Sequence, residues 1–144
     1  MLESVAICQF LVERHREPQL SPEPGSLDSA KFHQLNYFAV NELEASLWTI
    51  EKNTWFYPEG SRSPEQIAMA TAELKQALEF FDHHLAPAEN FILQSFSLAD
   101  ITIGYTLIWA DSRKLLENLP RTTTYLNRLK KRAAFPHHLY EKTP

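Results

Sequence analysis

The segment Ser-Phe-Ser-Leu-Ala-Asp-Ile, followed by an almost continuous apolar run, most constrains the fold of this chain. Ser97 and Asp100 have the spacing of a capping box, in which each side chain bonds the backbone N–H of the other residue. Phe96 and Ile101 occupy the positions of a hydrophobic staple around that box. The pattern predicts a helix over 98–111 that starts in the interior and is apolar nearly all round, as in the centre of a bundle.

Helical periodicity dominates the rest of the chain, which contains only three glycines. Apolar residues recur every three or four positions, and clean alternation of apolar and polar residues is rare. We therefore predict an all-α fold, a bundle of about five to six helices. The predicted helices cover residues 3–15, 28–52, 64–85, 98–111, 112–119 and 122–132.

Two helix starts carry local signals of their own. Asp28 is the predicted N-cap of the long second helix. Ser63 is the predicted N-cap of the next helix, with Pro64 in the first turn and Gln66 completing a capping box.

Composition excludes several classes of protein. The chain has 14 basic and 18 acidic residues, a net charge of −4, and no basic cluster, which argues against a nucleic-acid surface. No apolar run reaches the ~18 residues of a membrane span, and the N-terminus does not resemble a signal peptide. A single cysteine suits a reducing compartment, so we expect a cytoplasmic protein. That residue, Cys8, lies on the apolar stripe of its helix and is expected to be a buried, unreactive thiol.

The histidines do not form a metal site in this interpretation. His83–His84 and His137–His138 are adjacent pairs, and neighbouring residues on a helix point in different directions, so they are poor joint ligands. We expect no metal ion.

The long second helix carries a second stripe beside its core stripe. Tyr37, Asn41 and Trp48 fall together on a helical wheel, away from the core face. Two interpretations stay open: residues 54–58 cover this stripe, or it forms an interface or a hydrophobic ligand pocket.

The stretches FSLADITIGYTLIWAD and LPRTTTYLNRLKKRAAF resemble the C-terminal helical domain of cytosolic glutathione transferases. The segment NELEASLW, at 41–48, resembles the first long helix of that domain. The family's Arg-Pro-Ala-Phe motif reads Arg-Ala-Ala-Phe here, at 132–135.

The N-terminal segment ESVAICQFL resembles the last helix of the family's thioredoxin-like domain. The resemblance implies that 1–16 is a remnant of that domain and that 17–144 is the helical domain. It assigns Glu3 and Ser4 to the γ-glutamyl part of glutathione. The family's catalytic residue lies before these positions, so we expect no catalysis by this chain alone. Glutathione is then a co-substrate only together with the thioredoxin-like domain, and no other cofactor is expected.

The resemblance also implies that the long helix lines a pocket for a small hydrophobic co-substrate and takes part in a dimer contact. Because the first helix is apolar on more than one side, we predict a homodimer.

Three functional hypotheses remain from the sequence. The chain is a binding or dimerisation module, or it is the C-terminal half of an active transferase that conjugates glutathione to hydrophobic electrophiles. In a third hypothesis it is a scaffold domain of the kind found in translation factors and aminoacyl-tRNA synthetase complexes.

Overall fold

The computed structural model describes residues 1–15, 20–85, 91–93 and 95–136 of the chain. Within these ranges the fold is all-α, as predicted: no strand is present there, and the β features are isolated bridge residues at Phe91, Leu93 and Ser95, of which Leu93 pairs with Ser95. The α-helices are α1 (Ser4–His15), α2 (Leu27–Phe38), α3 (Ala45–Glu51), α4 (Pro64–His84), α5 (Leu98–Ser112) and α6 (Pro120–Lys130).

The predicted long helix is present, but it is not a uniform α-helix. Two π-helical segments, Ala39–Glu44 and Lys52–Phe56, follow α2 and α3, and the backbone stays helical through every junction. We call the continuous element from Leu27 to Phe56 the long helix. Its predicted core stripe faces the interior, with Leu35 half-buried and these residues buried: Phe32, Ala39, Leu43, Leu47 and Ile50.

The predicted N-cap of the long helix is wrong by two positions. Ser26 is the cap, and its hydroxyl accepts a hydrogen bond from the Ser29 amide at 3.0 Å. Asp28 instead lies in the first turn, where a carboxylate complements the helix dipole, and pairs with Lys31 at 3.5 Å. Serine and aspartate are nearly equal as caps, so the sequence alone did not separate them.

The start of α4 is capped by two residues, one of them outside the local sequence. The Ser63 hydroxyl accepts from the Gln66 amide at 3.2 Å, as predicted. Gln66 does not return the bond to the Ser63 amide, so the predicted capping box is wrong. The buried Asn53 accepts from that amide at 3.0 Å and donates to Gln66 Oε1 at 3.1 Å.

Helix α5 lies between the long helix and α6. Its buried side includes Ile103 and Leu107, and Gly104 lets α6 approach closely: a Cβ there would lie 2.8 Å from Leu129 Cδ1. The opposite side is open, because Ile101 and Tyr105 are 45% and 49% exposed. The prediction of burial nearly all round α5 is therefore wrong for this side.

The predicted short helix over 112–119 does not form; the segment 113–118 consists of turns. A Schellman-type ending stops α5. Lys114 adopts a positive φ of 59°, and the Leu115 amide donates back to the Ala110 carbonyl at 3.1 Å. Helix α5 therefore ends, and a series of turns follows, where the apolar periodicity favoured a helix.

Helix α6 is anchored at its start by the end of α4. Asp82 Oδ1 accepts from the Thr122 amide at 2.7 Å. The Arg121 guanidinium donates to the carbonyl oxygens of His83 and Leu85 at 3.0 and 3.3 Å. Tyr125, Leu126 and Leu129 are buried as the sequence predicts.

None of the helices in the described ranges combines the length and the apolar character that crossing a bilayer requires.

Replacement of Asn53 by alanine should destabilise the protein by about 1–3 kcal/mol, because the half-buried Ser63 amide loses its acceptor and the hydrogen bond from the buried Asn53 to Gln66 is lost as well. Urea unfolding measured by circular dichroism checks this. The variant Asn53→Asp keeps the acceptor for Ser63 and should lose less. Equal stability of Asn53→Ala and the parent chain would contradict the assignment.

Candidate functional site

The buried carboxylate of Asp100 organises the start of α5. Asp100 Oδ2 accepts from the Ser97 amide at 2.9 Å and from the Ser97 hydroxyl at 3.1 Å. Asp100 Oδ1 accepts from the Tyr125 hydroxyl at 2.8 Å and from the Ile92 amide at 3.3 Å. Burial, together with the charge and hydrogen bond of Asp100, raises the pKa of Tyr125 well above its ordinary value. Both oxygens of the Asp100 carboxylate already accept hydrogen bonds. Asp100, Ser97 and Tyr125 therefore have a structural role.

The predicted staple residues lie beside this carboxylate. Phe96 is half-buried beneath the guanidinium of Arg132, which stands 3.4 Å from the ring centroid. Ile101 is partly exposed, and both residues line one cavity between α5 and α6. Their mutual packing as a staple stays a prediction.

A wider cleft of about 850 Å³ opens at the C-terminal end of the long helix, against the end of α5. We call it the tryptophan cleft. Its lining combines three indoles with one carboxylate, one guanidinium and two hydroxyls: Trp48, Trp55, Trp109, Glu51, Arg113, Thr54 and Ser112.

Glu51 holds the tryptophan cleft together. Its Oε1 accepts from Trp109 Nε1 at 2.8 Å and from the Arg113 guanidinium at 2.9 Å through Nε and 2.6 Å through Nη2. Its Oε2 accepts from Trp55 Nε1. Burial by itself raises the pKa of Glu51, but the hydrogen bonds from Trp109, Arg113 and Trp55 and the charge of Arg113 outweigh it, so the pKa lies below its ordinary value.

The indole of Trp48 packs against two neighbouring aromatic rings of the cleft region. Trp48 meets Trp109 at a centroid distance of 5.4 Å and an angle of 86°, and meets Phe56 at 6.4 Å and 78°. Both are edge-to-face arrangements. Trp48 and Trp55 nevertheless remain exposed, so an aromatic surface faces outward here. Phe56, from the segment 54–58, flanks Trp48 without enclosing it.

The structure separates the three residues of the predicted second stripe. Trp48 lines the tryptophan cleft, Asn41 lines a groove against α4, and Tyr37 is 62% exposed. The helical wheel assumed α-helical spacing, but Ala39–Glu44 is π-helical. In a π-helix the backbone hydrogen bonds join residues i and i+5, so each turn contains more residues than an α-helical turn. The side chain of Trp48 therefore lies on a different side of the long helix from Tyr37 and Asn41.

Glu3 and Ser4 lie at the start of α1, near the middle of the long helix. Glu3 has a positive φ of 69°, which is uncommon for a residue with a side chain. Burial, together with the nearby charge of Glu3, raises the pKa of Glu44.

Cys8 is half-buried beside the apolar cluster of Phe32, Leu98 and Ala99. Within the described ranges, no group of three or more His, Cys, Asp or Glu residues is placed to hold a metal ion. His137 and His138 lie outside the described residues.

The sequence did not single out Glu51, Arg113 or Trp109 as site residues. One signal was available, because Glu51 and Trp55 are four residues apart on a helix and therefore face each other. The contacts from Glu51 to Trp109 and Arg113 span about 60 positions and follow only from the packing of α5 on the long helix.

Solved structures with the same fold are glutathione transferases. They include BphK, described as a bacterial GST in a ternary complex (24% identity, TM-score 0.81), and a glutathione transferase from Methylococcus capsulatus strain Bath (20%, 0.81). URE2P6 from Phanerochaete chrysosporium, in complex with oxidized glutathione, is 22% identical, with a TM-score of 0.81. In each pair 98% of this chain is covered, against 68%, 67% and 66% of the other chain.

The chain thus spans about two thirds of the length of these structures. A comparison with curated proteins gave no match. The family model for the glutathione S-transferase C-terminal domain matches residues 64–137, just over half of the chain, from the first residue of α4 to just past the Arg-Ala-Ala-Phe motif. The chain belongs to the glutathione S-transferase C-terminal domain family.

Proposed function

We propose that this chain is a substrate-pocket and dimerisation module of glutathione transferase type, and that the tryptophan cleft receives a small hydrophobic, aromatic ligand. The observation that carries the proposal is the exposure of Trp48 and Trp55 inside a cleft of about 850 Å³. Exposed indoles held in fixed orientations are suited to stack on a planar ligand.

The tryptophan cleft is better suited to binding a ligand than to transferring a proton. The charges of Glu51 and Arg113 neutralise each other, and both oxygens of Glu51 already accept hydrogen bonds. Conjugation of glutathione needs a donor that stabilises the thiolate, and Cys8, half-buried on α1, is not placed in this cleft. We assign the thiol chemistry to a thioredoxin-like domain that works with this module.

We further propose that 1–16 corresponds to the last helix of such a domain and 17–144 to the helical domain. Ser4 and the strained backbone of Glu3 support a role in holding the γ-glutamyl part of glutathione, because strain of this kind concentrates at functional sites. A cytoplasmic location stays a prediction.

An active two-domain enzyme is the alternative. It is favoured by the solved transferases, which this chain matches over about two thirds of their length. In that case the module described here supplies the hydrophobic wall of a complete active site.

The ligand-binding proposal is tested with dinitrochlorobenzene, a planar aromatic electrophile, by quenching of tryptophan fluorescence. Trp48→Ala should weaken binding several-fold, up to about tenfold, in line with about 0.5–1.5 kcal/mol for one aromatic contact. Tyr37→Ala is the matched control, because Tyr37 is an exposed aromatic of the same helix outside the cleft. The 144-residue chain with glutathione and this electrophile should give no turnover above background. Unchanged affinity of Trp48→Ala, or clear turnover, would contradict the proposal.

Replacement of Glu51 by glutamine tests what holds the cleft in shape. Because the pKa of Glu51 is lowered in the folded protein, its contribution to stability is complete above the ordinary value of 4.5 and is lost as the pH falls through the lower folded value. Glu51→Gln should cost about 1–3 kcal/mol at neutral pH, and the difference from the parent chain should shrink in acid below about pH 4.5. Urea unfolding between pH 7 and pH 3 measures this, with the exposed Glu79→Gln as control. A difference independent of pH would refute the assignment.

The dimerisation proposal rests on the outer side of α1, where Ile7, Phe10 and Leu11 are exposed. Adjacent apolar side chains of this size favour a contact with a second copy of the chain. Light scattering at tens of micromolar should give a dimer, and the double variant Phe10→Lys, Leu11→Lys should give a monomer. Glu13→Lys adds the same charged residue to the same helix and should leave the dimer intact. A monomeric parent chain would overturn the proposal.

A further inference from the structure

A second, smaller cavity of about 320 Å³ lies between α5, α6 and the segment that follows α6. We call it the α5–α6 cavity. It shares no lining residue with the tryptophan cleft. Its walls are mainly apolar and come from Phe96, Ile101, Gly104, Ile108, Leu129, Ala134, Phe135 and Pro136, with polar groups from Asp100, Tyr105 and Arg132.

The guanidinium of Arg132 is the charged group of this cavity that remains available. It stacks on Phe96, 3.4 Å from the ring centroid, and stands 5.6 Å from the centroid of Phe91. Among the described residues, no carboxylate forms a salt bridge with it. Stacking uses the face of the guanidinium and leaves its N–H edge free for a carboxylate.

Asp100, the acidic residue of the lining, does not pair with the Arg132 guanidinium. Its two oxygens already accept from the Ser97 amide and hydroxyl, the Tyr125 hydroxyl and the Ile92 amide. The cavity therefore combines an apolar interior with one cation, Arg132, that no described carboxylate neutralises. Both oxygens of Asp100 are already occupied by hydrogen bonds.

We propose that the α5–α6 cavity binds a small amphiphilic carboxylate, with the carboxylate on the edge of the Arg132 guanidinium and the apolar body between α5 and α6. The charge of the Arg132 side chain selects the anion, since arginine and carboxylate pair through two parallel hydrogen bonds. The volume lies at the lower end of the range for small-molecule sites, which suits a medium-length chain or a single aromatic ring.

Isothermal titration calorimetry of the 144-residue chain with decanoate tests this proposal. Decanoate should bind, and decanol, which has the same chain without the charge, should bind at least tenfold more weakly. Arg132→Gln should weaken decanoate binding at least tenfold and leave decanol unchanged. Equal affinities for decanoate and decanol, or decanoate binding unaffected by Arg132→Gln, would overturn the proposal.

A matched pair of variants tests the location without removing the charge. Ala134→Trp fills the cavity from its exposed rim and should abolish decanoate binding, whereas Ala133→Trp, at the exposed neighbouring position outside the lining, should not. Thermal unfolding confirms that each variant is folded. Loss of binding in both variants, or in neither, would contradict the site.

The α5–α6 cavity and the tryptophan cleft should respond to different variants. Ala134→Trp should still bind dinitrochlorobenzene, so a failure of the carboxylate site is distinct from a failure of the tryptophan cleft. If decanoate binds only after deletion of 137–144, that result would mean that this segment competes with decanoate for the cavity. The proposal of a carboxylate ligand for the 144-residue chain would then be wrong.

Discussion

The rest of the fold depends on a single buried carboxylate. Asp100 is 1% exposed and accepts hydrogen bonds from four donors, three on the connection before α5 and one on α6. A buried charge is tolerated only when it is hydrogen-bonded this fully. Ser97 and Ile92 belong to the connection and Tyr125 to α6, so the carboxylate ties the start of α5 to both of these neighbouring segments.

The helices follow from this anchor by packing. Helix α5 presents Ile103 and Leu107 to the interior, where they share one apolar core with residues of the long helix and α4, and Gly104 brings α6 near. The same packing carries Trp109 and Arg113, at the end of α5, to Glu51 on the long helix. The tryptophan cleft is thus a consequence of how α5 packs on the long helix. It could not be predicted from the sequence of either helix alone.

Local patterns in the sequence predicted most of the helices because their causes are local. The apolar stripes, the Ser63 cap and the spacing of Ser97 and Asp100 depend on residues three or four positions apart. Contacts between distant segments were missed, such as Asn53 with the Ser63 amide and Asp82 with the Thr122 amide. They join a side chain to a backbone group ten and forty positions away, and no spacing rule reports such pairs. The predicted short helix over 112–119 failed for another reason, since Lys114 adopts the left-handed conformation without the glycine that usually signals it.

The π-helical segment at Ala39–Glu44 has a consequence for how this chain tolerates a change in length. A π turn accommodates one more residue than an α turn and keeps the helix unbroken. Loss of a single residue there should return the segment to ordinary α-helix and leave the side chains before and after it on nearly the same faces of the long helix. A deletion at this turn would therefore leave Trp48 and Glu51 facing α5, whereas the same deletion in an α-helical part of the long helix between α2 and Trp48 would turn both side chains by about 100°.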